Sequence, residues 1–309
     1  MQISPARYRV IAIGALIALS VIIVTGAAVR LTNSGLGCDD WPNCNSQSLI
    51  DVSSQHAAIE QINRLFTGVV GFAVIAAVLA SLRRVPRRRD LTLISLWLVL
   101  GVVANAVLGG ISVKVDLHPM AVQGHMLLSM MLIVAGCVLV RRSGEPDGVP
   151  RERVVTRPTE RLVWLEFALV TLAIVMGTVV TGAGPHAGDE TAERLDVAIP
   201  TVARLHAVSV LTAIAIALLL AWRIRTIAAD RRALATPLSR WIAIALVQAA
   251  LGYIQYFSDV PELLVGIHVL GATLVMIATT YLLLDTRRAV AATSPTTHPD
   301  GTPAHATTV

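Results

Sequence analysis

The stretch LGGISVKVDLHPMAVQGHMLLSMMLI, residues 108–133, recurs in related form as LGYIQYFSDVPELLVGIHVLGATLVMI at residues 251–277. The two copies align at a constant offset of 143 residues, which places His125 on His268. Each copy joins the end of one long apolar segment to the start of the next. The chain is therefore predicted to contain two halves of the same architecture.

The composition determines the environment of these halves. Hydrophobic residues make up 55% of the 309 residues and charged residues 15%, and the mean hydropathy is +0.69. Such a chain is too apolar for an ordinary soluble protein, and its apolar runs have the length of about 20 residues that crosses a bilayer. We predict an all-α integral membrane protein with eight transmembrane helices, at 10–30, 58–82, 91–113, 119–140, 162–182, 200–222, 240–257 and 263–285.

The positive charges predict the orientation. Of the 25 Lys and Arg residues, 20 fall at the two ends of the apolar region or in the connections after the second, fourth and sixth segments. The positive-inside rule then places both termini in the cytoplasm of a multi-pass protein of the cell (plasma) membrane. The pI near 9.6 is thus a sign of topology, and we expect no nucleic-acid partner.

Each predicted half has four helices, and an even number of crossings gives both halves the same orientation. We therefore expect parallel repeats related by an axis along the membrane normal. The predicted division is an N-terminal half at 1–142, a cytoplasmic linker at 143–160, a C-terminal half at 161–288 and a disordered tail at 289–309. The tail holds His298 and His305, to which we assign no function.

Three histidines and an asparagine fall at matching depths in the predicted helices. His125, His206 and His268 lie roughly 8–9 Å inside the outer ends of the fourth, sixth and eighth segments, and Asn63 lies at a similar depth in the second. One intramembrane histidine alone is more often an interhelical hydrogen-bonding residue. Two on facing helices at equal depth suit the axial coordination of a haem iron. The sequence lacks the motifs typical of a zinc site.

A polar stretch precedes the second segment and carries the remaining candidates. Cys38 and Cys44 lie in the first outer loop, where an oxidising compartment favours a disulfide; the pair is either a structural staple or a redox-active thiol pair. Glu60 and Arg64 follow on the predicted helix, four residues apart. They either form a simple surface pair or contribute to a site at the membrane boundary.

These residues together resemble the haem A synthases. The resemblance rests on GLGCDDWPNC at 35–44, on the Glu60-x-x-Asn63-Arg64 segment and on the three histidines, and it spans about 10–288. It implies a membrane oxidoreductase that oxidises a methyl group of haem O to the formyl group of haem A. It also implies that His206 and His268 ligate a resident haem b. The first half would then be the substrate pocket, with His125 facing the haem O iron and Glu60, as the catalytic residue, near the reacting methyl.

Two features depart from the commonest family pattern. Asn63 stands where a histidine is usual, which leaves the substrate iron with an open axial position, with Asn63 binding through water, or with His56 as a substitute ligand. The third outer loop, GPHAGDETAERLD at 184–196, lacks the second cysteine pair of some relatives.

The alternatives and partners complete these expectations. Arg64 and Arg204 either bind haem propionates or extend to lipid headgroups. A bis-histidine cytochrome b that only relays electrons explains His206 and His268 equally well, whereas a transporter would need broken helices near the midplane. Expected partners are haem O, membrane lipid, haem O synthase and further copies of the chain; the sequence does not identify the electron donor.

Overall fold

The computed structural model describes residues 2–290 of the chain. The prediction of an all-α membrane protein is confirmed, because eight helices in this part of the chain are long and apolar enough to cross a membrane. The helices are α1 Pro5–Leu31, α2 Gln55–Arg83, α3 Arg89–Lys114, α4 Pro119–Ser143, α5 Arg157–Ala183, α6 Ile199–Arg223, α7 Ala228–Phe257 and α8 Glu262–Leu284.

Helix starts follow ordinary capping chemistry. Ser4 and Ser54 accept hydrogen bonds from the backbone N–H groups of Arg7 and Ala57, at the starts of α1 and α2. The ring of His118 does the same at α4. Several outward-facing side chains are large and apolar, such as Phe72, which is 74% exposed. An apolar exterior of this kind matches a helix surrounded by lipid.

Helix α7 is the largest departure from the predicted boundaries. It begins at Ala228, not at residue 240, and it contains Pro237. The apolar run of this helix begins only after Arg231, Arg232 and Pro237. Hydropathy therefore detected only the part of the helix that is apolar enough to cross a membrane. The extra turns are anchored by the buried Asp230, which accepts hydrogen bonds from the backbone N–H and the hydroxyl of Thr156 at 2.8 Å each.

Each group of four helices packs as a ring. In the first half α1 contacts α2 and α4, and α3 contacts α2 and α4; in the second half the corresponding contacts join α5, α6, α7 and α8. Helices α1 and α4 meet α5 and α8 between the two rings. One continuous cluster of buried apolar side chains includes residues of both halves. The parallel symmetry of the halves and the cytoplasmic location of the termini stay predictions.

The end of the bundle that carries the N-terminus also joins the two halves. Strand β1, Arg151–Arg153, pairs antiparallel with β2, Arg287–Ala289. Glu160 accepts from Arg287 at 2.8 Å and from Arg153 at 3.4 Å. The predicted linker 143–160 thus contains a strand and the start of α5, and the predicted tail begins inside β2. Residues 291–309, with His298 and His305, lie outside the described residues.

Candidate functional site

A large cavity of about 1300 Å³ opens near the outer ends of the helices. These are the ends joined by the α1–α2, α3–α4, α5–α6 and α7–α8 connections. The walls of the cavity come from both halves of the protein. All seven residues proposed above for binding or catalysis line it, namely Glu60, Asn63, Arg64, His125, Arg204, His206 and His268. The cavity exceeds the usual range of about 300–1,000 Å³ for a small-molecule pocket.

In the second half, two histidines face each other across this cavity. The ring centroids of His206 on α6 and His268 on α8 are 6.4 Å apart, and the ring planes are 73° apart. Two metal–imidazole bonds of about 2.0–2.1 Å each, together with the two ring radii, account for such a separation. Among residues 2–290 no group of three or more His, Cys, Asp or Glu side chains forms a metal site. The pair therefore suits a metal whose other ligands come from a cofactor.

Each of the three histidine rings lies against a glycine of the preceding helix. A methyl group at Gly109 would lie 3.1 Å from Cε1 of His125, one at Gly177 would lie 3.2 Å from Cε1 of His206, and one at Gly252 would lie 3.1 Å from Cε1 of His268. Side chains larger than hydrogen at these positions would displace the rings. The glycines therefore set the position of all three imidazoles.

Backbone carbonyls orient two of the three rings. Nδ1 of His125 donates to the carbonyl of Asn105 at 3.0 Å, and Nδ1 of His206 donates to the carbonyl of Ala173 at 2.9 Å. In both cases the carbonyl lies four residues before the contacting glycine. Because a carbonyl only accepts, each ring carries its proton on Nδ1 and keeps Nε2 for ligation, as metal-binding histidines usually do.

His268 differs from the other two histidines. Its Nδ1 is buried without a hydrogen-bond partner in the described part of the chain. The residue four positions before its glycine is Gln248, whose amide nitrogen donates instead to the backbone carbonyl of His268 at 2.8 Å. Helix α8 is thus fixed through its backbone, and the His268 ring is held mainly by packing.

In the first half, the cavity wall carries Asn63 in addition to His125. Oδ1 of Asn63 accepts a hydrogen bond from the Thr25 hydroxyl at 2.8 Å, which orients the amide at the cavity wall. His56, the suggested substitute ligand, is exposed, and its Nδ1 is 2.9 Å from the Ser34 hydroxyl. Since His56 is not among the residues that line the cavity, this arrangement offers the first half His125 alone as an imidazole ligand.

Glu60 connects the second helix to the first outer loop. One carboxylate oxygen accepts from Nε and Nη2 of Arg64 at 2.9 and 2.6 Å, and the other accepts from the Cys38 backbone N–H at 2.8 Å. Arg64 also donates to the carbonyls of Asp40 and Asn43. The pair with Arg64, considered above as the simple alternative to a catalytic role, is therefore present and also holds the loop.

The first outer loop covers the first half of the cavity. Cys38 and Cys44 form the predicted disulfide, and the Trp41 ring packs so closely on α3 that a methyl group at Gly110 would lie 2.4 Å from it. The Lys114 ammonium, which donates to Asp40 at 2.9 Å, lowers the pKa of the Asp40 carboxyl. Helices α2 and α3 thus both bind this loop.

Several residues in the cavity wall or in contact with it were not predicted from the sequence. Thr25 and the three glycines act through contacts with residues far away in the chain, although the offset of 143 does relate Gly109 to Gly252. His186, in the α5–α6 connection, also lines the cavity, and its Nε2 donates to the Val260 carbonyl at 2.8 Å.

The chain is similar in sequence to proteins of one known family. The profile of the COX15-CtaA family, described as cytochrome oxidase assembly proteins, matches residues 9–280. A haem A synthase of Shewanella oneidensis is 29% identical over 178 residues, which cover 52% of this chain and 51% of that protein. The haem A synthase of Lysinibacillus sphaericus is 30% identical over 103 residues, 33% of this chain and 34% of the relative. The chain thus spans about half the length, or less, of these curated relatives.

Proposed function

Because this chain belongs to the COX15-CtaA family of cytochrome oxidase assembly proteins, we propose that it is a membrane haem A synthase, which oxidises a methyl group of haem O to the formyl group of haem A. The observation that carries the proposal is that the two halves present different side chains to one cavity. Its second half presents two facing imidazoles, and its first half presents the single imidazole of His125 together with the amide of Asn63. A haem that stays in the protein needs two strong ligands, whereas a haem that is taken up and released needs weaker binding.

The second half is the proposed site of haem b. His206 and His268 would hold its iron, as supported by their separation of 6.4 Å, by the carbonyl that fixes the His206 tautomer and by the glycines that leave space for the rings. The group supplies one-electron chemistry when bound. Residues of helices α5 to α8 would surround the group with a largely apolar wall.

The first half is the proposed substrate pocket. His125, with its proton on Nδ1, presents Nε2 as a single ligand for the iron of haem O. Asn63 binds a metal weakly, so it leaves the opposite side of the substrate open, and a single strong ligand favours release of the product. This is the property that an enzyme acting on a haem requires and an electron carrier does not.

Glu60 is the proposed catalytic carboxylate. It lines the cavity with a side-chain exposure of 7%, and its charge is held by Arg64 and the Cys38 N–H. A fixed negative charge beside the porphyrin rim would stabilise positive charge that develops there as the methyl carbon is oxidised. The hydrogen bonds to Glu60 fix the position of this charge, so the carboxylate would not need to reorient during the reaction.

The alternative is a bis-histidine cytochrome b that relays electrons without modifying a haem. The His206–His268 pair supports it as well as it supports the enzyme. The two functions differ in their product. An electron carrier has no use for Glu60 in the cavity wall or for a half site at His125.

Pigment extraction decides between them. Cells that make this protein together with a source of haem O should accumulate haem A, measured by chromatography of extracted haems. Glu60→Gln keeps an oxygen that can accept from the Cys38 N–H but removes the charge, so it should keep the resident haem spectrum and lose haem A. The absence of haem A from cells with the unaltered, haem-loaded protein would favour the electron carrier.

We further propose that the protein lies in the cell membrane with both termini in the cytoplasm, as the distribution of Lys and Arg supports. Haem O synthase is the proposed source of the substrate. A second copy of this chain is a proposed partner, and Arg64 and Arg204 at the cavity wall are proposed contacts for haem or lipid groups.

A further inference from the structure

Three hydrogen-bond donors meet at the outer end of the bundle, where the two halves join. They are Arg30 at the end of α1, Gln123 on α4 and Arg194 in the α5–α6 connection. Nε2 of Gln123 and Nη1 of Arg194 are buried without a hydrogen-bond partner in the described part of the chain. Arg30 is half-buried and lines the cavity together with Gln123.

The α5–α6 connection brings these donors together. The Gly35 N–H donates to the Gly188 carbonyl at 2.9 Å, which fixes the connection over the end of α1. A methyl group at Gly188 would lie 3.2 Å from Cγ of Arg30. A methyl group at Gly182 would lie 2.8 Å from Nε2 of Gln123 and 3.0 Å from Cδ1 of Leu195, the neighbour of Arg194. The donors therefore share one small region.

No acidic side chain of this connection neutralises the two arginines. Asp189 accepts from the backbone N–H and hydroxyl of Thr191. Glu193 is 70% exposed and lies 3.7 Å from His118. Arg194 lies near enough to Arg30 for their like charges to repel each other. Buried donors without acceptors and neighbouring like charges are both unfavourable, so the region is suited to an anion.

The donor set matches a carboxylate. A guanidinium group offers parallel N–H donors to two carboxylate oxygens, and charge-assisted hydrogen bonds of this kind are strong. Arg64 and Arg204 are weaker candidates for this role, because Arg64 already binds Glu60 and two loop carbonyls and Arg204 is exposed.

The donors face the second half. Gln123 precedes His125 by two residues, about 200° around the helix axis, so the two side chains point away from each other. Gln123 contacts Gly182 of α5, the helix whose Ala173 carbonyl orients His206. Arg194 belongs to the connection that leads into α6. The anion site therefore lies at the outer end of α5, on the side of Gln123 that faces the second half.

We propose that Arg30, Gln123 and Arg194 bind a propionate carboxylate of the haem held by His206 and His268, an inference that rests on the proposed function. Porphyrin propionates are anions attached to the group that the histidines would hold. A propionate bound here would accept hydrogen bonds from the two buried donor atoms. Its negative charge would also reduce the repulsion between Arg30 and Arg194. The same contact would link the resident haem to α1 and α4 of the other half.

A chemical double-mutant cycle tests the site. The purified full-length protein is loaded with haem b or with its dimethyl ester, which lacks the carboxylates, and haem loss to excess apomyoglobin is timed. The unaltered protein should lose the ester about tenfold faster than haem b. Arg30→Gln and Arg194→Gln should lose haem b about tenfold faster than the unaltered protein, and should distinguish the two haems much less.

Controls separate this result from general damage. Arg30→Lys keeps the charge and should keep most of the discrimination, and Gln123→Met should lower it without a change of charge. Lys114→Gln removes a positive charge at the same end of the bundle, where the residue is 56% exposed and pairs with Asp40; it should behave like the unaltered protein.

The alternative outcomes are distinct. The propionate site would be overturned if Arg30→Gln and Arg194→Gln distinguished haem b from its dimethyl ester as strongly as the unaltered protein does. This result is expected if a lipid phosphate or a free anion occupies the site, and it would leave the proposed function intact. A protein that binds no haem at His206 and His268 would overturn both proposals.

Discussion

The two halves of this protein share a helical plan but differ in what they present to one cavity. The second half offers His206 and His268, with ring centroids 6.4 Å apart. The first half offers His125 as its one imidazole, and the same cavity is lined by Asn63, which is held by the Thr25 hydroxyl. The first half also carries a disulfide-containing loop that is tied to its helices through Glu60. Similar helices therefore support two different kinds of site.

The difference indicates how two similar four-helix halves can form one site that retains a bound group and one site that exchanges it. Two strong ligands on opposite helices hold a metal through both, whereas one strong ligand allows exchange. The loop over the first half adds a cover that touches α2 and α3. On the proposed function, the first half exchanges haem and the second half keeps it.

The largest expected effect separates the three histidines. His206→Ala or His268→Ala should abolish the resident low-spin haem spectrum, because each removes one of two axial ligands. His125→Ala should keep that spectrum and abolish haem A formation. The measurement is the reduced absorption spectrum of purified protein, with haem content determined after extraction. A spectrum that survives both second-half substitutions would remove the proposed haem b site.

The second test makes the first half like the second. Asn63→His should add an imidazole opposite His125, and the first half should then retain haem, which raises the haem content of purified protein from about one to about two per chain. Asn63→Leu is the matched control, since it removes the amide without adding a ligand and should leave the content unchanged. If Asn63→His stays at one haem, Asn63 and His125 do not form the two sides of one site.

The third test concerns the loop that distinguishes the first half. Glu60→Ala leaves the Arg64 guanidinium without its carboxylate and the Cys38 N–H without its acceptor, in a place where the Glu60 side chain is 7% exposed. Breaking such a buried pair costs about 3–5 kcal/mol in the free energy of unfolding. Thermal unfolding in detergent, followed by circular dichroism, measures the loss.

The exposed Lys114–Asp40 pair holds the same loop and provides the control for Glu60. Lys114→Ala should cost less than about 1 kcal/mol, as exposed ion pairs usually do. Equal losses for Glu60→Ala and Lys114→Ala would contradict the view that the buried carboxylate anchors the loop.

Much of the fold was predictable from the sequence, because the length and apolarity of a segment decide whether it crosses a membrane. All eight helices follow from this rule, and only α7 extends well beyond its apolar run, where Asp230 anchors it to the start of α5. The position of the three histidines near the outer ends of α4, α6 and α8 was also predictable, since it follows from the sequence distance to the start of each helix.

The details of the cavity wall were not predictable in the same way. The contact of His206 with Gly177 and the bond from Thr25 to Asn63 depend on how helices rotate against each other. The unsatisfied donors of Gln123 and Arg194 depend on how the α5–α6 connection folds back. Hydropathy and spacing carry little information about either.

The last test compares two buried carboxylates in opposite halves and has a smaller expected effect than Glu60→Ala. Glu60 receives hydrogen bonds on both oxygens, whereas Glu166 of α5 is fully buried and neither of its oxygens has a partner in the described part of the chain. Unlike Glu60→Ala, Glu166→Met should stabilise the protein by about 1–3 kcal/mol, because it replaces an unsatisfied buried polar group with an apolar side chain of similar size.

Thermal unfolding under the same conditions measures this change, and Glu166→Gln is the matched control. The amide of Gln keeps the unsatisfied polar atoms in the core, so this variant should gain little. A loss of stability on Glu166→Met would mean that the Glu166 carboxyl has a partner in the native membrane protein. Opposite signs for Glu60→Ala and Glu166→Met would instead show that burial alone does not determine what a carboxylate contributes here; its hydrogen bonds do.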